Sequence, residues 1–150
     1  MLDSDRDPGG SVSGVKRRWD QITNRLSGYK YEVPADPEPE GTIIEGPNGL
    51  PRVGIWLMPD NQQDGMFEDF LLSQIPTNAR EFAQQTVKTA REQGFGSYKL
   101  AHESKAVTHC YLSWQDEPGH PLGIAIKSGL FNVDSDPAIR FVAWLKRLFE

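Results

Sequence analysis

Asp3 and Asp5, separated by one residue in the opening run LDSDRD, are the first residues whose type and spacing could do chemistry. On a strand, residues two apart project from the same face, so this pair can hold one hard cation between two carboxylates. An acidic, solvated terminus accounts for the same residues, because aspartate is common at strand ends and turns. A second acidic group lies in PDNQQDGMFEDF, residues 59–70, where an apolar run delivers Asp60 and Asn61 and a short helix then presents Glu68 and Asp69. Ligand sites of open α/β sheets gather at such strand ends. The alternative is structural: acids in a first helical turn favour the macrodipole, and Asp60 or Asp64 can shape the turn or cap the helix.

The third group sits on HESKAVTHCYLSW, where His102, Lys105 and His109 follow at steps of three and four and share one helical face that could meet a phosphate. Zinc fits that face poorly, since a lysine between the histidines repels a cation and Cys110 points about 100° away around the helix. A partly exposed polar face, with Val107, Cys110, Tyr111 and Trp114 packed inward, explains the histidines more readily than it explains Lys105.

The elements that must position these groups follow from periodicity. Val15, Trp19, Ile22 and Leu26 form the stripe of an amphipathic helix over 11–26, capped by Ser11 or Ser13 and closed by Gly28. Residues 33–41, VPADPEPEG, carry three prolines and three acids and read as an extended connector. Residues 42–45 and 52–58 are β-type runs joined by Gly46, Pro47, Asn48, Gly49 and Pro51, suited to a hairpin or close strand pair. The second run, containing VGIWLM, is apolar on both faces and predicts a central strand. A short helix over 66–75 ends at Pro76, a longer one runs to Gln93 with Asn78 as its cap, and a third covers 103–115. The loop DEPGHP and a short apolar run over 122–126 follow, and a last helix over 137–149 buries Phe141, Leu145 and Leu148. Trp19, Trp56, Trp114 and Trp144 fall on predicted buried faces and are most simply core residues.

The chain of 150 residues has the size of one domain, and its folding buries roughly 70% of the surface its unfolded form exposes. With 37% hydrophobic residues, four Trp and seven Phe, it has enough apolar mass to fold without metal or disulfide staples. A net charge of −5 argues against a large sequence-independent grip on nucleic-acid phosphates, although a nucleic acid remains open as a transient substrate. The single cysteine, Cys110, forms no internal disulfide and points to a reducing cytoplasm. No apolar run reaches membrane-span length, and the opening MLDSDRDPGG lacks a basic segment followed by a hydrophobic one. Phosphate-loop, nucleophile-elbow and paired-cysteine motifs are absent from the sequence.

The ordered set LDSDRD, Arg18-Trp19, Gly28-Tyr29, VGIWLMPDN, GMFEDFL, Ser104 to Ala106 and FVAWLKRLF resembles an uncharacterised bacterial Toprim-like family, itself similar to the Toprim half of OLD-type nucleases. The likeness covers nearly the whole chain, and the PDN to EDFL block is its most specific part. The resemblance implies a Rossmann-like α/β fold, a partial sheet flanked by helices, in which an upstream glutamate, an Asp-x-Asp pair and a later acidic motif surround divalent ions. Carried over by position, Asp3, Asp5, Glu68 and Asp69 would hold Mg²⁺ or Mn²⁺, Glu68 would also serve the reaction, and Lys105 would stabilise phosphate charge. Phosphoryl transfer or cleavage of a nucleic-acid phosphodiester is the implied activity. The family's first glutamate sits on an earlier strand in a Glu-Gly motif, whereas Glu45-Gly46 comes after the aspartates and does not take its role. The expectation is therefore that the first strand and helix are missing, through a late start, a truncation that leaves a non-catalytic remnant or interaction module, or a split enzyme whose separate chain supplies them.

Overall fold

Residues 1–4 and 12–150 are described by a computed structural model, in which short strands come early and helices follow. Strand β1 (Leu2–Asp3) leads to helix α1 (Gly14–Ser27), then to β2 (Thr42–Ile44), β3 (Val53–Ile55) and β4 (Leu57–Met58). Helices α2 (Phe67–Leu72), α3 (Thr77–Glu92), α4 (Glu103–Leu112), α5 (Leu122–Lys127) and α6 (Asp136–Phe149) complete the chain. The fold is thus mixed α/β.

The run 53–58 organises it. Its first half pairs antiparallel with β2, Thr42 opposite Ile55 and Ile44 opposite Val53, and its second half pairs parallel with β1, Asp3 opposite Met58. Successive strand side chains point to opposite faces. Ile55 and Leu57 therefore join Val15, Trp19, Tyr31 and Ile44 beneath α1, while Trp56 and Met58 join the core under α2, α3, α4 and α6. All four residues are buried, as a central strand covered on both sides requires. On the second face the Trp56 ring meets Phe141 edge-on at 5.3 Å and lies 5.6 Å from Trp144.

The connector 33–41 contains neither helix nor strand and is fastened along its length. The Trp19 indole donates to the Pro34 carbonyl, Arg140 donates to the Pro39 carbonyl and pairs with Glu40, and Thr42 Oγ1 accepts from the Glu38 amide. Gly41 ends it at φ +82°, pressed against Trp144.

Several expectations need correction. Ser13 caps α1 by accepting from the Lys16 amide, but Gly28 closes the helix in a right-handed conformation, and the left-handed turn falls on Lys30 at φ 65°. Ser11 lies outside the described residues. Helix α3 starts at Thr77 with no side-chain cap, and Asn78 sits inside it. Helix α4 ends at Leu112 because Ser113 and Gln115 turn back onto the last carbonyls, so Trp114 projects from a turn. Trp114 is 43% exposed and lies against Phe82, itself 64% exposed, with ring centroids 5.1 Å apart. The apolar run after DEPGHP becomes the one-and-a-half-turn helix α5, which buries Ala125. In α6 the fully buried residues are Ala138 and Trp144, with Phe141, Leu145 and Leu148 half-buried around them.

Gly41→Ala is expected to destabilise the fold by about 2–4 kcal/mol, since a Cβ there would stand 2.3 Å from Trp144 Cδ1 and the backbone conformation disfavours any side chain. Urea unfolding of the variant checks this, and an unchanged midpoint would contradict the packing described.

Candidate functional site

Parallel pairing of β1 with β4 puts their carboxyl ends side by side, and the loop 59–65 leaving β4 is built to bring α2 back across them. The Met58–Pro59 peptide is cis. Asp60 Oδ1 accepts from the amides of Gln62 and Gln63, making a tight local turn. Asn61, at φ 66° and 2% exposed, accepts from the Leu57 amide through Oδ1 and donates through Nδ2 to the Pro39 carbonyl. Asp64 Oδ1 accepts from the Val15 amide at the start of α1. Gly65 exchanges two backbone hydrogen bonds with Ser4, whose hydroxyl donates to the Met58 carbonyl. Asp60 and Asp64 are therefore spent on shape, in agreement with their structural reading, and Asn61 is spent in the same way.

Asp3 Oδ1 accepts from the Phe67 amide, so a residue at the end of β1 caps the first turn of α2. Asp69 faces two ways: Oδ2 accepts from the Met66 amide at 2.8 Å and Oδ1 from the Ser104 hydroxyl at 2.5 Å. Both are charge-assisted bonds, the stronger kind. Glu68 is 5% exposed and reaches Lys105 on α4, with Nζ 3.5 Å from Oε1. The sequence-predicted residues Asp3, Glu68, Asp69 and Lys105 thus belong to one connected group at the strand ends. Asp5 and Asp7 lie outside the described residues.

His102 stands just before α4 and His109 is exposed on it, neither paired with Lys105. Cys110 is half-buried, and burial raises its thiol pKa above the ordinary 9.0. A thiol so held is mostly protonated near neutral pH and is a poor metal ligand or nucleophile.

Two residues that periodicity did not single out prove important. Ser104 joins α4 to Asp69. Gly65 leaves room for that carboxylate, since a Cβ there would lie 2.9 Å from Asp69 Oδ2 and 3.0 Å from Pro59 Cδ. Their signal in the sequence was only position: the glycine immediately before MFED and the serine immediately before Lys105.

The carboxylates suit a hard divalent cation in kind, while the lysine beside them repels one. Among the described residues, however, no group of three or more His, Cys, Asp or Glu side chains converges closely enough to hold an ion. Asp69, engaged through both oxygens, positions α2 and α4.

Fold and site define a mixed α/β domain with an acidic group at the carboxyl ends of paired parallel strands. The model of the family described as "Protein of unknown function (DUF3226)" matches residues 1–150, and the chain belongs to that family. No curated protein and no solved structure matches it. Among the described residues no helix is long and apolar enough to cross a membrane.

Asp69→Asn is expected to cost about 1–3 kcal/mol, because an amide offers one oxygen where the carboxylate serves two donors. Combined with Ser104→Ala, the two losses should fall short of additive by roughly 0.5 kcal/mol or more in a double-mutant cycle read by urea unfolding. Strict additivity would mean that the two side chains do not interact.

Proposed function

We propose that this chain is a Toprim-like domain that binds Mg²⁺ or Mn²⁺ at the carboxyl edge of β1 and β4 and serves phosphoryl transfer. The observation that carries the reading is the gathering of Asp3, Glu68 and Lys105 at one strand edge, with the Glu68–Lys105 pair at 3.5 Å. Bound there, a divalent ion would supply Lewis-acid charge and a more acidic water. The protein's own part is to hold the carboxylates, keep Lys105 beside the transferring group and fix α2 against α4. A nucleic acid remains a candidate transient substrate.

A further strand fits this reading. Among the described residues β1 pairs only with β4, and beside it lies a hollow of about 220 Å³ lined by Met1, Leu2, Ile22, Leu26 and residues 53–55, with Arg25 at its side. A strand added along β1 by a separate polypeptide would cover this largely apolar surface.

A non-catalytic interaction module is the second reading. It is favoured by one observation: Asp3, Glu68 and Asp69 each already interact with a donor of the protein.

Calorimetric titration with Mg²⁺ and Mn²⁺ separates the two. The first reading expects binding that Asp3→Asn combined with Glu68→Gln weakens tenfold or more, about 1.4 kcal/mol. Absence of binding by the unaltered chain sinks it as a self-sufficient metal site and leaves the interaction module.

A further inference from the structure

We propose that the groove between α3 and α4, which adjoins the β1–β4 edge at Asp69 and Ser104, takes a small phosphate monoester bearing hydroxyl or amino groups rather than a nucleic-acid strand. This deepens, and rests on, the reading of the β1–β4 edge as a reaction site. The groove encloses about 680 Å³ and begins at Asp69 and Ser104. That volume lies within the roughly 300–1,000 Å³ of small-molecule pockets.

Arg80 supplies the independent sign of a ligand. It lines the groove half-buried and, among the described residues, makes no ion pair or side-chain hydrogen bond. Arg52 pairs with Glu45, Arg140 with Glu40, and Arg91 lies over the Tyr98 ring, whereas Arg25, which also has no such partner among the described residues, is exposed and lies outside the groove. A planar guanidinium left open in a cleft is suited to a bidentate grip on phosphate. Arg80 and Lys88, eight residues apart on α3, follow one ridge and stand about 12 Å apart along the axis. Lys88 reaches its own helix's Glu92 only at 4.0 Å, with both side chains largely exposed, which leaves it available as a second cation.

The rest of the lining decides the size and class of the ligand. Asp69, Glu81 and Glu103 face the same groove, so its charge is mixed. A single phosphate can sit at the Arg80 ridge while donor groups of the organic part face the carboxylates. A polyanionic strand would instead meet those carboxylates along its length, on a chain whose net charge is −5.

The test is calorimetric titration of glycerol 3-phosphate, a monoester with two free hydroxyls, and of a short single-stranded oligonucleotide, with and without Mg²⁺, into the unaltered chain, Arg80→Ala and Arg80→Lys. The monoester is expected to bind the unaltered chain even without metal. Arg80→Ala should weaken it about tenfold or more, and Arg80→Lys should restore only part, because an ammonium cannot chelate. Both variants should melt with the unaltered chain, as Arg80 holds nothing else in place. The oligonucleotide should bind no more tightly than the monoester. The inference is overturned if the monoester does not bind, if Arg80→Ala leaves its affinity unchanged, or if the oligonucleotide binds more tightly with steep salt dependence. The metal-free arm keeps its failure distinct from that of the Mg²⁺ reading, which the Asp3 and Glu68 substitutions test by themselves.

Discussion

The alternation of side chains along 53–58 is the constraint from which the rest of the molecule follows. A strand covered on both faces must be apolar at every position, and here Ile55 and Leu57 fill one core while Trp56 and Met58 fill the other. A one-residue slip would exchange those two sets and strand Trp56 beneath α1. Because the same run also binds β2 and β1 through its backbone, it fixes two strand partners and two helical layers at once. Large aromatic residues on one face, with Trp144 closing over Gly41 and Gly54, make that register costly to change.

The polar edge inherits its geometry from this strand. Where β4 stops, Asn61 returns a hydrogen bond to Leu57 and another to the connector, so the loop is anchored at its root. Gly65 then reaches Ser4, Asp3 receives the first amide of α2, and Asp69 carries the chain of bonds on to Ser104 of α4. Buried polar groups are tolerated because nearly all find partners. The result is a division of labour: Asp60, Asn61, Asp64 and Asp69 build the edge, Asp3 caps α2 through one carboxylate oxygen, and Glu68 pairs with Lys105.

What the sequence disclosed, and what it did not, follows the same physics. The run VGIWLM announced a central strand because double-sided burial leaves no polar position, and the stripe from Val15 to Leu26 announced α1 because one face of a helix must be apolar. The connector was legible from its prolines. Trp114 was misjudged because periodicity extended α4 past Leu112, whereas the helix ends in a turn that leaves the ring at the surface beside Phe82. The cap at Asn78 failed because the helix begins one residue earlier, directly after Pro76. At the edge, residue types singled out the acids and Lys105, but only three-dimensional partners distinguish Asn61, a buried clamp, from Glu68, a buried carboxylate paired with a half-exposed lysine.

The claim at the centre of this account is that the strand edge gathers a cation beside Asp3, Glu68 and Lys105. Paramagnetic broadening by substoichiometric Mn²⁺ in the amide spectrum of the isotopically labelled chain tests it most directly. The account predicts that the amides of Asp3, Phe67, Glu68 and Lys105 broaden first while those of α6 stay sharp. Uniform broadening, or loss of signal centred on the acidic connector 33–41 instead, would contradict it.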